Sequence, residues 1–453
     1  MCAIRTKEPS VTTGTQRQSR RAALGSFVGA VLEWYDFLLY GIVAALVFDK
    51  AFFPDASSRA GTLAAFATFG VGFCFRPLGG ALFGHFGDRL GRKRMLVWTV
   101  ALMGVATAAI GVLPTYQQIG WYAPLLLVVL RVLQGIAVGG EWGGAALMAV
   151  ESAPPKWRAF FSSGVQVGYS VGLLLATGLV AFLGGVLSDD AFNSWGWRIP
   201  FLVSAGLAFV ALWIRSGLTE TKVFEQAKES GAVENETVKA ASPVLEALRR
   251  HPREILQIFG MRLGELFTMY IVTTFALSYA TDEFGYDRSF ILGLTLVAGG
   301  LGIVTIPFYA YLSDRFGRGP VFLSGAAVGV VSAVPFFLSL QAGASVLVVV
   351  FGVLLVNVAH DAIVSVQQPL FTELFAPEFR YSGAGFGYQL ASAVAGGFTP
   401  FIATALVALG GGTWYLVAAY LTVGCAASLL IALRLRGRDG VREHLADERV
   451  AAA

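Results

Sequence analysis

Glu33 and Asp36 stand in the run "VLEWYDFLLYG" (31–41), within a stretch otherwise built to avoid water. Arg76, Arg131 and Glu141 lie in similarly apolar surroundings. Ionisable groups at membrane depth are costly, so each implies a function and a partner that offsets its charge. The i, i+3 spacing of Glu33 and Asp36 puts both on one helix face, continued by Tyr40. Arg131, Gln134, Val138, Glu141 and Ala145 form a second stripe. At about 1.5 Å per residue, Asp36 and Arg131 both fall near a bilayer midplane and are expected to pair. Glu33, Arg76 and Glu141 fall about one turn nearer the cytoplasm.

That chemistry suits an acid-driven pump of a small anion. A carboxylate desolvated between helices accepts a proton near neutral pH, and a nearby arginine holds it ionised until the proton arrives. Glu33, Asp36, Arg131 and Glu141 are therefore the expected proton-coupling set. Arginine binds carboxylates bidentately, and Arg76 has no counterpart in the second half, where position 302 is glycine. It is expected to anchor a substrate carboxylate, with an ion pair to Glu33 or Glu141 as the plainer reading. Gln134 and Trp142 on the second stripe, Gln166 and Tyr169 in "GVQVGYSVG", and Tyr388 and Gln389 in "GFGYQLAS" suit a polyhydroxylated ligand. Arg262 and Glu265, at i, i+3, are expected to satisfy each other. His360, in "NVAHDAIVSVQQP" with Asn357, Asp361 and Gln367, reads first as a hydrogen-bonded structural histidine.

The elements that must position these groups follow from composition. Of 453 residues 56% are hydrophobic and 14% charged, with mean hydropathy +0.67. Soluble domains average about 45–50% apolar and 25% charged. Too few polar side chains remain to cover a water-facing surface. Twelve apolar runs of membrane-spanning length occur, at roughly 22–48, 61–86, 94–114, 121–149, 160–187, 199–215, 254–280, 289–312, 320–340, 344–371, 382–409 and 413–434. The expected fold is an all-α membrane protein with twelve helices around a central cavity.

Of the 33 Lys and Arg residues, only Lys50, Arg59, Arg198 and Arg288 fall in the expected outer loops. Arg76, Arg131 and Arg262 lie inside spans, and the rest occupy the tails and inner loops. The positive-inside rule places both termini in the cytoplasm. The basic excess is thus topological, and nucleic-acid binding is not expected. The first apolar run is too long for a signal-peptide core and lacks a small-residue cleavage site. Cys2, Cys74 and Cys425 are too scattered for a disulfide framework or metal site. No cofactor and no enzymatic activity are expected.

A polar segment, 216–253, divides the chain into six-helix bundles over 22–215 and 254–434, with tails at 1–21 and 435–453. The halves echo each other. "GHFGDRLGRKRM" recurs as "YLSDRFGRGPVF", with Asp88 and Asp314 226 residues apart, and "ESAPPKWR" recurs as "ELFAPEFR". An even number of spans per half makes these parallel repeats about the membrane normal, the major facilitator arrangement. In these gating loops, which include Gly84 and Gly317, Gly87 and Gly91 permit a tight turn, while Arg89, Arg92, Arg315 and Arg318 anchor them to the inner leaflet. Asp88 and Asp314 are expected to latch neighbouring helices, by accepting bonds from a helix N-terminus or an arginine. The run "GGEWGGAA" (139–146) lets a neighbouring helix come close or lets its own helix flex.

The segments "EWYDFLLYG", "RPLGGALFGHFGDRLGRKRM", "RVLQGIAVGGEWGGAALMAVE" and "WGWRIPF" resemble the metabolite:proton symporter family of the major facilitator superfamily, over nearly the whole chain. That family includes transporters of osmolytes, 2-oxoglutarate, citrate and shikimate. "GTLAAFATFGVGF" and "SSGVQVGYSVGLLL" are most similar to its shikimate-transporting members. The resemblance implies proton-coupled import of shikimate across a bacterial inner membrane, by a protein functional as a monomer. Glu33 stands where those members carry aspartate, which leaves room for another carboxylate such as an aromatic acid or 2-oxoglutarate. A channel or a non-transporting receptor is the reading from another class. The tail after 434 is too short to sustain the coiled coil of the osmolyte carriers.

Overall fold

In hydrocarbon every backbone N–H and C=O must be satisfied within the chain, so long apolar runs become helices. The computed structural model describes residues 13–80, 82–83, 92–139, 155–216, 248–375 and 383–436, and every regular element among them is helical. In chain order these are α1 (Phe27–Phe52), α2 (Arg59–Gly80), α3 (Arg92–Val112), α4 (Tyr122–Gly139), α5 (Arg158–Val186) and α6 (Arg198–Ser216). The second half holds α7 (Pro252–Phe284), α8 (Arg288–Phe316), α9 (Arg318–Gln341), α10 (Ser345–Thr372), α11 (Gly385–Leu409) and α12 (Tyr415–Leu435). Ten of them are long and apolar enough to cross a membrane. An eleventh span is α6 joined to the short helix Asp189–Gly196 across a 46° bend. α3 carries the shorter apolar stretch Val97–Val112. The order and number match the twelve runs expected, in a multi-pass membrane protein.

Each half is a bundle. In the first, α1 packs on α5 and α6, α3 on α4 and α6, and α2 on α4; in the second, α12 packs on α7 and α9, α11 on α7, and α10 on α8. The halves meet where α5 lies against α8 and α10, α2 against α11, and α1 against α7. One turn of α1, Ala44–Phe48, widens to π geometry, and the corresponding turn of α7, Ile271–Phe275, does the same 227 residues later. The repeat is therefore visible in the backbone as well as in the loops. Wide turns of this kind concentrate at functional sites.

α2 and α4 touch backbone to backbone. A Cβ placed on Gly135 would lie 1.8 Å from the carbonyl oxygen of Gly72, and one on Gly139 would lie 1.8 Å from that of Arg76. Small residues four apart permit this approach, and lost side-chain volume is replaced by main-chain contact.

At the end bearing the α1–α2 loop, Arg59 of the first half pairs with Glu283 of the second at 2.7 Å. Below it an aromatic layer crosses the seam. Phe69 and Phe73 of α2 meet Tyr270 of α7 edge-on, at 5.6 and 6.0 Å between ring centroids, and Phe398 of α11 fits against Gly70. At the opposite end, Asp314 at the end of α8 accepts bonds from the backbone N–H groups of Ala159 (3.1 Å) and Phe160 (2.9 Å) at the start of α5. Trp157 stacks on Tyr311 beside it.

Candidate functional site: charged groups at the seam between the halves

Asp36 is completely buried inside the first bundle. Ser204 of α6 donates to its Oδ1 at 2.5 Å, and Thr107 of α3 donates to its Oδ2 at 2.8 Å. Thr107 accepts in turn from the Gln134 amide nitrogen at 2.6 Å, and the Gln134 carbonyl accepts from Arg131 at 2.8 Å. The direct Asp36–Arg131 pair expected from their equal depth is corrected here to a relay through Gln134 and Thr107. Depth fixes height along a helix, but α3 inserts a hydroxyl between the two. Gln134, expected to face the ligand, has both ends of its amide engaged in this relay. Arg131 also donates to the Phe69 carbonyl at 3.0 Å and lies 3.9 Å over the Tyr40 ring, while its Nε has no partner. Tyr40 is tied to Thr68 of α2 at 2.6 Å.

Arg76 lies nearer the seam and is 3% exposed. Its guanidinium carbon lies 4.1 Å from the centroid of Phe37 and 4.0 Å from that of Phe73, in the corner of two rings that meet edge-on at 4.9 Å. Arginine planes stack well on aromatic faces. Nη1 approaches Glu33 Oε1 at 3.7 Å, so Glu33 and Arg76 share a level, as their depths require. Nε and Nη2 have no hydrogen-bond partner. These two atoms form the side-on edge of the guanidinium, whose parallel N–H bonds match a carboxylate. From the second half, Tyr270, Tyr388 and Arg262 lie within electrostatic reach of Arg76.

Arg262 is spoken for. It binds Glu265 at 2.7 Å, donates to the Tyr388 carbonyl at 2.5 Å and Ser392 Oγ at 2.6 Å, and covers the Tyr388 ring at 3.3 Å. The pair does satisfy itself, and it pins α7 to α11. Tyr388 and Gln389 are thereby held at the seam, and Gln389 Oε1 has no partner. On the facing α5, Gln166 Nε2 and Tyr169 Oη are buried without partners. Buried polar atoms left bare cost about 1–3 kcal/mol each. Several at one seam mark a place where a polar ligand would offset that cost.

Glu141 and Trp142 lie outside the described residues, as do Gly84, Asp88, Arg89 and Gly91; Arg92 opens α3, and its side chain is not described. In the second half, the helix N-terminus partner expected for Asp88 is found at its counterpart Asp314. Gly317 turns the chain at φ +95°, a left-handed conformation that favours glycine. Arg318 pairs with Glu373, which joins the α8–α9 loop to the end of α10. Arg315 reaches the Tyr311 hydroxyl at 3.4 Å and lies against Phe316.

Sequence reasoning missed Thr107, Ser204, Tyr270 and the Phe37–Phe73 corner that seats Arg76. Hydroxyls in membrane helices ordinarily bond their own preceding turn, as Thr107 also does with the Met103 carbonyl, so they carry little signal. The aromatics are indistinguishable from lipid-facing ones until the fold is known.

Comparison with known proteins follows the same lines. The chain matches the family model described as Major Facilitator Superfamily over residues 26–387 and 266–451. It is 58% identical over 428 residues to the shikimate transporter of Escherichia coli (strain K12), covering 94% of this chain and 97% of that protein. It is 33% identical over 394 residues to the proline/betaine transporter of the same strain, covering 86% and 78% respectively. The fold is similar to the partially occluded inward open conformation of the xylose transporter XylE from E. coli, with TM-score 0.72, 17% identity, and 92% and 97% of the two chains covered.

Proposed function

The chain belongs to the major facilitator superfamily, and on that premise we propose that it carries shikimate into the bacterial cell with protons, by alternating access. The 58% identity to the E. coli shikimate transporter supports the substrate. The observation that carries the reading at the site is the bare Nε–Nη2 edge of Arg76, seated against two rings at the seam. A planar fork fixed in orientation selects a carboxylate over a neutral sugar. Gln166, Tyr169 and Gln389 then offer unpartnered amide and phenol groups to the ring hydroxyls, with Tyr388 beside them and Trp142 placed with them by its sequence position.

Glu33 and Asp36 are the proton acceptors in this reading, each with a different task. Glu33 shares Arg76 with the incoming carboxylate, so its protonation releases Arg76 for substrate. Asp36 sits in the buried relay with Arg131, and its proton state changes what α1, α3, α4 and α6 exchange there. Glu141 joins them by its sequence position. Arg131 cannot titrate and biases its neighbours.

With both termini cytoplasmic, as the positive charges favour, the aromatic layer and the Arg59–Glu283 pair close the outer side above Arg76. Outward opening then separates Phe69 and Phe73 from Tyr270, while the Asp314 latch and its counterpart loop around Asp88 hold the inner side. The protein works as a monomer, since each half completes the other's site.

The test is uptake of labelled shikimate into proteoliposomes under an inward proton gradient. Accumulation abolished by a protonophore is expected. Uptake indifferent to the protonophore would overturn the symport, and failure of shikimate to outcompete aromatic acids and 2-oxoacids would overturn the substrate.

A further inference from the structure

The second bundle holds one ionisable cluster that the reading above does not use. Asp361 of α10 is completely buried, and its neighbour His360 is 3% exposed. Asp361 receives three bonds. Thr305 of α8 donates to Oδ2, Asn357 donates to Oδ2 at 3.0 Å, and His360 Nδ1 meets Oδ1 at 2.8 Å. The Asn357 amide nitrogen can only donate, while the Thr305 hydroxyl also meets the Leu301 carbonyl at 3.0 Å. Among the described residues the only ion-pair partner of Asp361 is His360. A protonated His360 thus leaves the pair neutral, whereas a neutral His360 leaves one buried negative charge.

The pair lies on the seam. Tyr169 of α5, from the other half, places its ring 4.9 Å from the His360 ring, and Ser170 of α5 lies against Gly302 of α8, itself close to Asp361. Among the described residues, the titratable and charged groups facing the pair are few. They are Tyr169 from α5 and Tyr309 from α8, each within electrostatic reach of Asp361, with Glu265 of α7 beyond Tyr169. From α9, Gly325 and Gly329 lie against Ala359, and the apolar Phe322 packs in the same cluster as Ala362 and Ile363. The two rings are tilted by 52° with centroids 4.9 Å apart, within the roughly 6 Å over which a cation is attracted to an aromatic ring, so a proton on His360 acts on the α5–α10 contact across the halves. Tyr169 also carries one of the bare polar atoms at the substrate site.

We propose that His360 and Asp361 form a second proton-linked site, in which a proton on His360 tightens the seam through Tyr169 and so ties proton binding in the second bundle to substrate occupancy. The site deepens the proposed proton-coupled uptake and rests on it. No group is transferred other than the proton itself, which enters and leaves at the imidazole. The bundle that moves against the first then carries its own titrating group, independent of the Asp36 relay.

The decisive comparison is His360→Gln against wild type in proteoliposomes, by labelled shikimate. Two readouts are taken between pH 5.5 and 8: equilibrium exchange, which needs no net proton movement, and gradient-driven uptake. The expected result is exchange within about threefold of wild type, with a flattened pH dependence and a lower accumulation ratio. A pH profile and accumulation ratio identical to wild type would overturn the proposal while leaving symport intact. A wild type whose uptake ignores the proton gradient would remove symport and this site together. Should His360→Gln fail to fold, Tyr169→Leu removes the ring and spares the pair. Its pH midpoint for uptake is expected at lower pH, because the protonated imidazole loses the ring beside it. An unmoved midpoint there also overturns the proposal.

Discussion

Arg76→Lys tests the substrate anchor most directly. Lysine keeps the charge and much of the length, but it has neither the planar fork nor a face to rest against Phe37 and Phe73. Two things are lost. One is the second of two parallel bonds from Nε and Nη2 to the substrate carboxylate, where a hydrogen bond to a charged group contributes about 1.5–3 kcal/mol. The other is orientation, since the rings at 4.1 and 4.0 Å hold a guanidinium plane in place and leave an ammonium free to turn toward Glu33. At about 1.4 kcal/mol per tenfold, the first loss alone weakens apparent affinity by roughly 10- to 150-fold. The assay is shikimate exchange in proteoliposomes over a range of substrate concentration, with thermal stability of the purified variant as a check on folding. A folded Arg76→Lys protein within threefold of wild-type affinity would refute the reasoning and remove Arg76 from the site.

Other expectations follow from the same geometry. Asp36→Asn keeps the shape and one of the two acceptor oxygens that Ser204 and Thr107 use, but cannot be ionised, so shikimate exchange should persist while accumulation against a gradient falls to unity; retained accumulation would take Asp36 out of the coupling. Gly135→Ala should destabilise the protein by about 1–3 kcal/mol or more, since its new carbon meets the Gly72 carbonyl. Gly164→Ala, with nothing within 4 Å, should change stability by no more than about 0.5 kcal/mol, both read from chemical or thermal unfolding. Asp314→Ala leaves two backbone N–H groups at the start of α5 without their acceptor and should favour separation of α5 from α8 at that end by about 1–3 kcal/mol. Spin-label distances across that seam would lengthen, and an unchanged distribution would show that the latch carries no weight.

The helices were legible because lipid makes one demand of every span, and the twelve apolar runs answer it. Height within the membrane was legible too: Glu33 and Arg76, matched by depth, are found together. Direction around a helix axis was not. Asp36 and Arg131 share a level, yet Thr107 stands between them, and no rule of spacing within α1 or α4 announces a hydroxyl on α3. The duplication was legible in the loops, where Asp314 meets a helix N-terminus, but its echo in the widened turns of α1 and α7 leaves no residue signature. What escaped the sequence is mostly the uncharged part of the site. Phenylalanine, threonine and serine are common in any span and acquire meaning only from what they face.

The glycine seam between α2 and α4 has a consequence for how motion would be measured. With Gly135 on Gly72 and Gly139 on the Arg76 carbonyl, neither helix can slide or roll without its main chain striking the other. Arg76 and Arg131 are therefore mounted on a single plank, and the span between them should stay constant through the whole transport cycle. Probe pairs on α2 and α4 would serve as an internal ruler of fixed length, against which every distance from α2 to α11 or from α1 to α7 can be calibrated as the halves rock.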